Sequence, residues 1–141
     1  MHKPDSRISY ITIGVTRFEL MCHFYEALGF NIWRQSDKPE HPFCMFSSGS
    51  IILALYPKHL LAKQSGCNIS GFNTALSLSL NVKERSDVNH YLETAKAYGA
   101  EITRQAFTPD WGGYCGYFKD PEKNLWEIVW HEDFDWTGKF V

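Results

Sequence analysis

From Ile8 to Val15 the chain alternates. Ile11, Ile13 and Val15 fall on one side, and Tyr10, Thr12 and Gly14 on the other. A period of two over this length predicts a strand with one buried face. Thr16, with Glu19 three residues on, reads as a capping box that opens a helix. Leu20, Phe24 and Leu28, spaced by four, give that helix an apolar stripe, and Gly29 stands where a helix ends in a left-handed residue. Strand-like pieces follow at residues 32–35, 43–47 and 51–56, the last two joined by the tight turn at residues 47–50.

The pattern then returns. Leu76, Leu78, Leu80 and Val82 alternate with Ser77, Ser79 and Asn81, a second strand with one apolar and one polar face. Ser86 or Asp87 can cap a helix whose stripe is Val88, Leu92 and Ala95, and Gly99 ends it. Three strand-like pieces follow again, at residues 102–106, 114–119 and 125–130, the last pair joined by the turn at residues 120–124. Val15 matches Val82 and Phe24 matches Tyr91 at one offset, and Gly29 matches Gly99 at a slightly longer one. The order is therefore strand, helix, three strands, twice over. Between the copies lie a short helix expected at residues 57–63 and a link at residues 65–73 rich in Ser, Gly and Asn. Solenoids need three or more repeats, whereas two copies point to one domain of two modules, about residues 7–64 and 74–132. The expected fold is α+β: two βαβββ modules in a pseudo-two-fold arrangement, with a mixed curved sheet around a concave pocket and the helices outside.

Composition narrows the function classes. A chain of 141 residues fits one domain, and 44% apolar content excludes a disordered one. The net charge is −2 with no basic stripe, so nucleic acid is not an expected partner. No apolar run reaches the length of a signal peptide core or a membrane span, so a soluble, cytoplasmic protein with no membrane partner is the default expectation. Cys22, Cys44, Cys67 and Cys115 form no Cys-x-x-Cys pair and fit no zinc spacing, which reads as reduced thiols that are buried or incidental. The six histidines show no two at ligand spacing on one element. Phosphate-binding glycine loops and a nucleophile elbow are absent from the sequence.

Two places carry candidate chemistry. Glu127 sits between Trp126 and Ile128 in a strand-like run, and parity puts it with Leu125 and Val129 on the face turned away from the helix. A carboxylate there is either an exposed or salt-bridged structural residue, or a pocket group serving as base or ligand. Trp111-Gly112-Gly113-Tyr114 is either a simple hairpin loop or a segment that folds over a ligand. Trp33, Trp111, Tyr114 and Tyr117 can wall a pocket or pack in the core, and Tyr10, Thr12, Ser77 and Ser79 lie on the same kind of face as Glu127.

The segments Ile11-Thr12-Ile13-Gly14-Val15, Phe24-Tyr25-Glu26-Ala27-Leu28-Gly29-Phe30 and Asp120-Pro121-Glu122-Lys123-Asn124-Leu125-Trp126-Glu127 resemble the vicinal oxygen chelate superfamily of glyoxalases, extradiol dioxygenases and bleomycin-resistance proteins. The resemblance implies a metal site whose ligand positions fall on Tyr10, Ser77, Glu127 and a position near Ala54. Only Glu127 keeps a ligand of the usual kind, so no metal and no cofactor are expected. A metal-independent protein binding a small organic molecule is then the leading expectation, with Tyr10, Thr12, Ser77, Ser79 and Glu127 in the pocket. The alternatives are a glyoxalase-type lyase or isomerase, with Glu127 as base and a metal or Tyr10 stabilising the enediolate, and a non-catalytic scaffold. A homodimer is expected under all three.

Overall fold

The computed structural model describes residues 6–135 and 137–139. The chain divides between Ser70 and Gly71 into two compact units. In the first, β1 (Tyr10–Val15), α1 (Phe18–Leu28), β2 (Asn31–Gln35), β3 (Cys44–Ser48), β4 (Ile51–Pro57) and α2 (Lys58–Ser65) follow in order. In the second, β5 (Ser77–Asn81), α3 (Arg85–Ala97), β6 (Glu101–Phe107), β7 (Tyr114–Lys119) and β8 (Leu125–Trp130) repeat the scheme, with no closing helix among the described residues. Each unit is an open four-stranded mixed sheet, ordered β1-β4-β3-β2 and β5-β8-β7-β6. The first strand of each runs parallel to the last, and the remaining pairs are antiparallel. The α+β class and the two βαβββ modules are as the sequence predicts.

Each long helix is the crossover needed by a parallel pair, and it covers one face of its sheet. On α1 the buried residues are Met21, Phe24, Tyr25 and Leu28. Tyr25 meets Phe30 at 5.7 Å and Phe46 at 6.2 Å, ring centre to ring centre. This corrects the expected stripe. Leu20 is 41% exposed, and Met21 and Tyr25 take the inward positions instead. The expected capping box at Thr16 is also displaced. The helix begins at Phe18 with Arg17 in the cap position and no side-chain cap bond, while Phe24 and Leu28 of the expected stripe are buried. On α3 the expected Val88, Leu92 and Ala95 are buried. Its capping residue is Glu84, not Ser86 or Asp87. Asp87 lies within the first turn, and its carboxylate accepts the Glu84 N–H at 3.1 Å.

The close seating of α3 explains Gly116. A Cβ there would lie 2.5 Å from Leu92 Cδ1 and 3.2 Å from the Arg104 carbonyl oxygen. Gly116 pairs with Ile128, and Phe118 pairs with Trp126, so these residues share the helix-covered face of the second sheet. Phe118 and Trp126 stack with ring centres 6.4 Å apart.

The turn from β7 to β8 is built on Asp120, which is buried. Its carboxylate accepts the backbone N–H groups of Glu122 and Asn124, each at 2.9 Å, and the Asn124 side-chain amide at 2.8 Å. Asn73 donates to Asn124 Oδ1 at 2.7 Å and ties the start of the second unit to the same turn.

Two features depart from the sequence reading. The first is α2, which does not lie on the helix-covered side. A Cβ on Gly14 would sit 3.2 Å from Lys58 Cγ, 3.3 Å from Leu61 Cδ2 and 3.5 Å from Ile69 Cγ2. Gly14 shares its face with Thr12, so α2 and the link cover one end of the face expected to be bare. The second is a break of register in both outer strands, between Ile32 and Arg34 in β2 and between Ile102 and Arg104 in β6.

Met21→Ala should cost about 2–5 kcal/mol, the usual range for truncating a buried long apolar side chain. Leu20→Ala, on the outward side of the same helix, should stay within about 0.5 kcal/mol of the parent. Urea unfolding of both variants checks the pair, and a larger loss in Leu20→Ala than in Met21→Ala would mean that the sequence-predicted stripe is the buried one after all.

Candidate functional site

Strand β8 lies between β5 and β7, so each of its residues has a neighbour on both sides. Glu127 faces Ser79 across the parallel pair and Tyr117 across the antiparallel pair. All three are on the face opposite α3. The Ser79 hydroxyl donates to Glu127 Oε1 at 2.9 Å, and the Tyr117 hydroxyl donates to Oε2 at 2.9 Å. Cys115, two residues before Tyr117 on the same face, adds its thiol to the surroundings of this carboxylate. Burial comes first, then the Glu127 charge, and together they raise the Cys115 thiol to about 11, with Arg104 pulling the other way. Tyr117 rises to about 12, by burial first and then by its hydrogen bond to Glu127 and that residue's charge. Both groups therefore stay neutral donors at ordinary pH.

Glu127 is half-buried, and its hydrogen-bond partners are neutral: two hydroxyls and the Cys115 thiol. No cationic partner for it is found among the described residues. The nearest cation in the same cross-sheet row is Arg104, opposite Tyr117, and its guanidinium lies over the Phe107 ring at 3.5 Å. Each carboxylate oxygen accepts one hydroxyl bond, which leaves lone pairs for a further donor.

A cleft of about 280 Å³ opens at this carboxylate, lined by Ser79, Asn81, Trp111, Glu127, Val129 and Phe134. Its aromatic wall is a cluster of three rings. Trp111 stacks on His131 at 5.9 Å and on Phe134 at 6.1 Å, and His131 lies 4.5 Å from Phe134. The indole is 51% exposed. His131 is oriented by the Asp133 N–H, which donates to Nδ1 at 3.0 Å. Gly113 makes the close approach possible. Its φ is +81°, and a Cβ would lie 2.5 Å from the Trp130 carbonyl oxygen and 2.9 Å from the Trp111 ring. Gly138 closes the far side against Asn81, where a Cβ would meet Oδ1 at 2.9 Å.

The first unit presents the same row with different chemistry. Thr12 and Met45 flank Ala54 where Ser79 and Tyr117 flank Glu127. Its cavity of about 340 Å³ is lined by Tyr10, Thr12, Phe43, Met45, Leu61 and Gln64 among others, with no charged side chain.

Of the sequence-predicted residues, Ser79, Tyr117, Trp111 and Glu127 gather on one face of the second sheet. Ser77 lies on that strand face too, opposite Leu125, and is exposed. Tyr10 and Thr12 line the cavity of the first unit. Tyr114 and Trp33 lie elsewhere. Tyr114 is on the helix side, with Arg85 over its ring at 3.9 Å and the Asn89 amide donating to its hydroxyl at 3.2 Å. It stands three residues from Tyr117, an odd step that reverses the face. Trp33 falls at the break of register in β2, is 51% exposed, and does not line the cavity of its unit. His131, Phe134 and Asn81 were not singled out. The hairpin register could have found His131: with Tyr114 opposite Trp130, the residue before the strand must lie beside the residue after its partner.

The metal positions implied by the resemblance do not assemble a donor set. Tyr10, Ser77 and Ala54 supply no carboxylate, imidazole or thiolate. Among the described residues no three His, Cys, Asp or Glu side chains lie together as a metal-binding group. Glu127 stands as a lone carboxylate, already bonded by two hydroxyls.

A family model described as the Glyoxalase/Bleomycin resistance protein/Dioxygenase superfamily matches residues 7–128. No protein of curated function resembles the chain significantly in sequence. Among solved structures, a glyoxalase-related enzyme from Fulvimarina pelagi superposes with a TM-score of 0.85 at 23% identity, covering 96% of this chain and 97% of that one. A hypothetical protein from S. aureus gives 0.78 at 18% identity, with 92% and 96% covered. A lactoylglutathione lyase from Agrobacterium tumefaciens gives 0.66 at 14% identity, also with 92% and 96% covered. At these identities the likeness is one of fold.

Tyr117 favours its neutral form in the folded state, so its share of stability is intact below about pH 10 and is lost as pH rises toward 12. Absorbance titration, with Tyr117→Phe to assign the signal, should show this phenol ionising near 12 in the parent. In Glu127→Gln it should move down toward the ordinary value. An unmoved midpoint would disprove the coupling.

Proposed function

Because the chain belongs to the Glyoxalase/Bleomycin resistance protein/Dioxygenase superfamily, we propose that it binds a small organic molecule, without a metal ion, in the cleft around Glu127. One observation carries this reading. A half-buried carboxylate is held in place by two neutral hydroxyls, lacks a cationic partner among the described residues, and borders an aromatic wall.

Neutral donors orient a carboxylate and lower the cost of its burial, but they leave its charge uncompensated. The complementary ligand offers a cationic or strongly donating group to Glu127 and a flat apolar part to Trp111. Cation attraction to an indole face adds to the same preference. The cleft's volume of about 280 Å³ lies just below the roughly 300–1,000 Å³ range of small-molecule sites, which favours a compact ligand.

The donor set argues for metal independence. A tight divalent site needs at least three protein ligands, and the implied positions offer one carboxylate. Glu127 then serves as an anchor for the ligand, with Ser79 and Tyr117 fixing its orientation.

Trp111 makes binding visible. Small aromatic ammonium ions should quench tryptophan fluorescence saturably. Glu127→Gln should weaken them about tenfold or more, equivalent to ~1.4 kcal/mol. Neutral isosteres binding equally well would remove the charge-based reading. In parallel, divalent ions should leave the melting temperature of chelator-treated protein unchanged. A stoichiometric ion whose effect vanishes in Glu127→Gln would overturn metal independence. Turnover of a carbonyl substrate lost in the same variant would make Glu127 a base, and the protein a lyase or isomerase.

A further inference from the structure

Outside the cleft, the first unit brings two nucleophilic side chains together. Cys22 lies in the middle of α1, half-buried, and Cys44 is the buried first residue of β3. Cys44 pairs with Leu55, which is fully buried, while its neighbour Met45 pairs with Ala54 on the cavity side. Cys44 therefore points to the α1 side of the sheet. Tyr25 of α1 meets Phe46 of β3 at 6.2 Å, and Cys22 stands one turn before Tyr25 as Cys44 stands two residues before Phe46, so the two thiols face each other across the helix–sheet layer, where they interact. The flanking Met21 is fully buried, and the next residues of the stripe, Phe24 and Tyr25, are buried too, so Cys22 rides on the best-anchored part of α1.

We propose that Cys22 and Cys44 form an oxidisable dithiol that closes into a disulfide under peroxide, stapling α1 to β3. The two thiols are neighbours across packed elements, so closure to the S–S length of about 2.05 Å draws α1 and β3 together locally and leaves the fold in place. Cys22, half-buried, opens a path by which a small oxidant reaches the Cys44 thiolate, and Cys22 itself supplies the second sulfur. Their interaction also favours one negative charge on the pair. The Cys22 S–H holds the Cys44 thiol below its ordinary value, while the same interaction pushes Cys22 up.

The chemistry balances with hydrogen peroxide as the oxidant. The thiolate attacks one peroxide oxygen, the O–O bond breaks, and a sulfenic acid and, after protonation, water are formed. The second sulfur then attacks the sulfenic sulfur. The S–O bond breaks, the S–S bond forms, and the hydroxyl leaves with a proton as a second water. Two thiols lose two electrons and two protons in all, and one peroxide becomes two waters. The other two cysteines offer no such pair: Cys67 is exposed, and Cys115 is buried in the second unit beside Glu127.

The test uses the full chain, reduced, freed of reductant, and treated with hydrogen peroxide, alongside a Cys67→Ser form that cannot crosslink between molecules through that residue. Thiol counting in denaturant should fall from the four cysteines of the parent to two. Peptide mapping should find the Cys22 and Cys44 peptides joined, two hydrogens lighter than the reduced pair. Closing the loop between them restricts the unfolded chain, so the oxidised form should melt several degrees higher. That difference should vanish in Cys22→Ser and in Cys44→Ser. Recovery of both peptides as free thiols, or Cys22 oxidised to sulfinic acid with Cys44 still reduced, would overturn the proposal. The mapping is done on native sequence, so it decides the matter even if a serine variant folds poorly.

Discussion

The last strand of each unit is clamped between a parallel neighbour and an antiparallel one, and what each unit offers to a ligand follows from that placement. A residue at the middle of such a strand has its side chain fixed by two ladders at once, with partners at the same height on both sides. In the second unit this sets Ser79, Glu127 and Tyr117 in a straight row, and the hydroxyls reach the carboxylate without loops or long side chains. The helix that makes the parallel pairing possible also decides which face is bare, because α3 takes the side of Gly116, Phe118, Trp126 and Ile128. Core and cleft are thus two faces of one decision about chain crossing.

Much of this was readable from residue order. Strands β7 and β8 appear at their expected limits, and the parity of β8 placed Glu127 on the uncovered face. Period-two reasoning works there because β8 has no bulge, and its burial alternates from Leu125 to Ile128. The stripe of α3 was legible for a similar reason, since its apolar positions are few and the three at helical spacing are the ones buried. In α1 the helix is apolar nearly all round, so several stripes fit. Burial chose Met21 and Tyr25, whose rings and sulfur fill the space beneath the helix, and turned Leu20 outward.

The remaining gaps have their own physical causes. Trp33 sits at a break of register, where parity carries no information. Tyr114 was grouped with Tyr117 by proximity, although an odd spacing on a strand puts them on opposite faces. The position of α2 depends on a contact between Gly14 and Leu61, and a glycine with no side chain gives no pattern to read. The Cys22–Cys44 contact joins a helix to a strand two elements away, a long-range meeting that no local period encodes.

The breaks in β2 and β6 bear on how these sheets behave toward other sheets. Both strands are outermost in their order, and an outer strand exposes a row of unpaired N–H and C=O groups to any extended chain it meets. A slip in register bends and twists that row, so a second flat strand cannot zip along its whole length. Arg34 and Arg104 stand directly at the slips and add charge and bulk at the same points. The irregularity that defeats sequence parity at Trp33 therefore also blunts one of the two edges of each sheet against strand addition, leaving β1 and β5 as the regular edges.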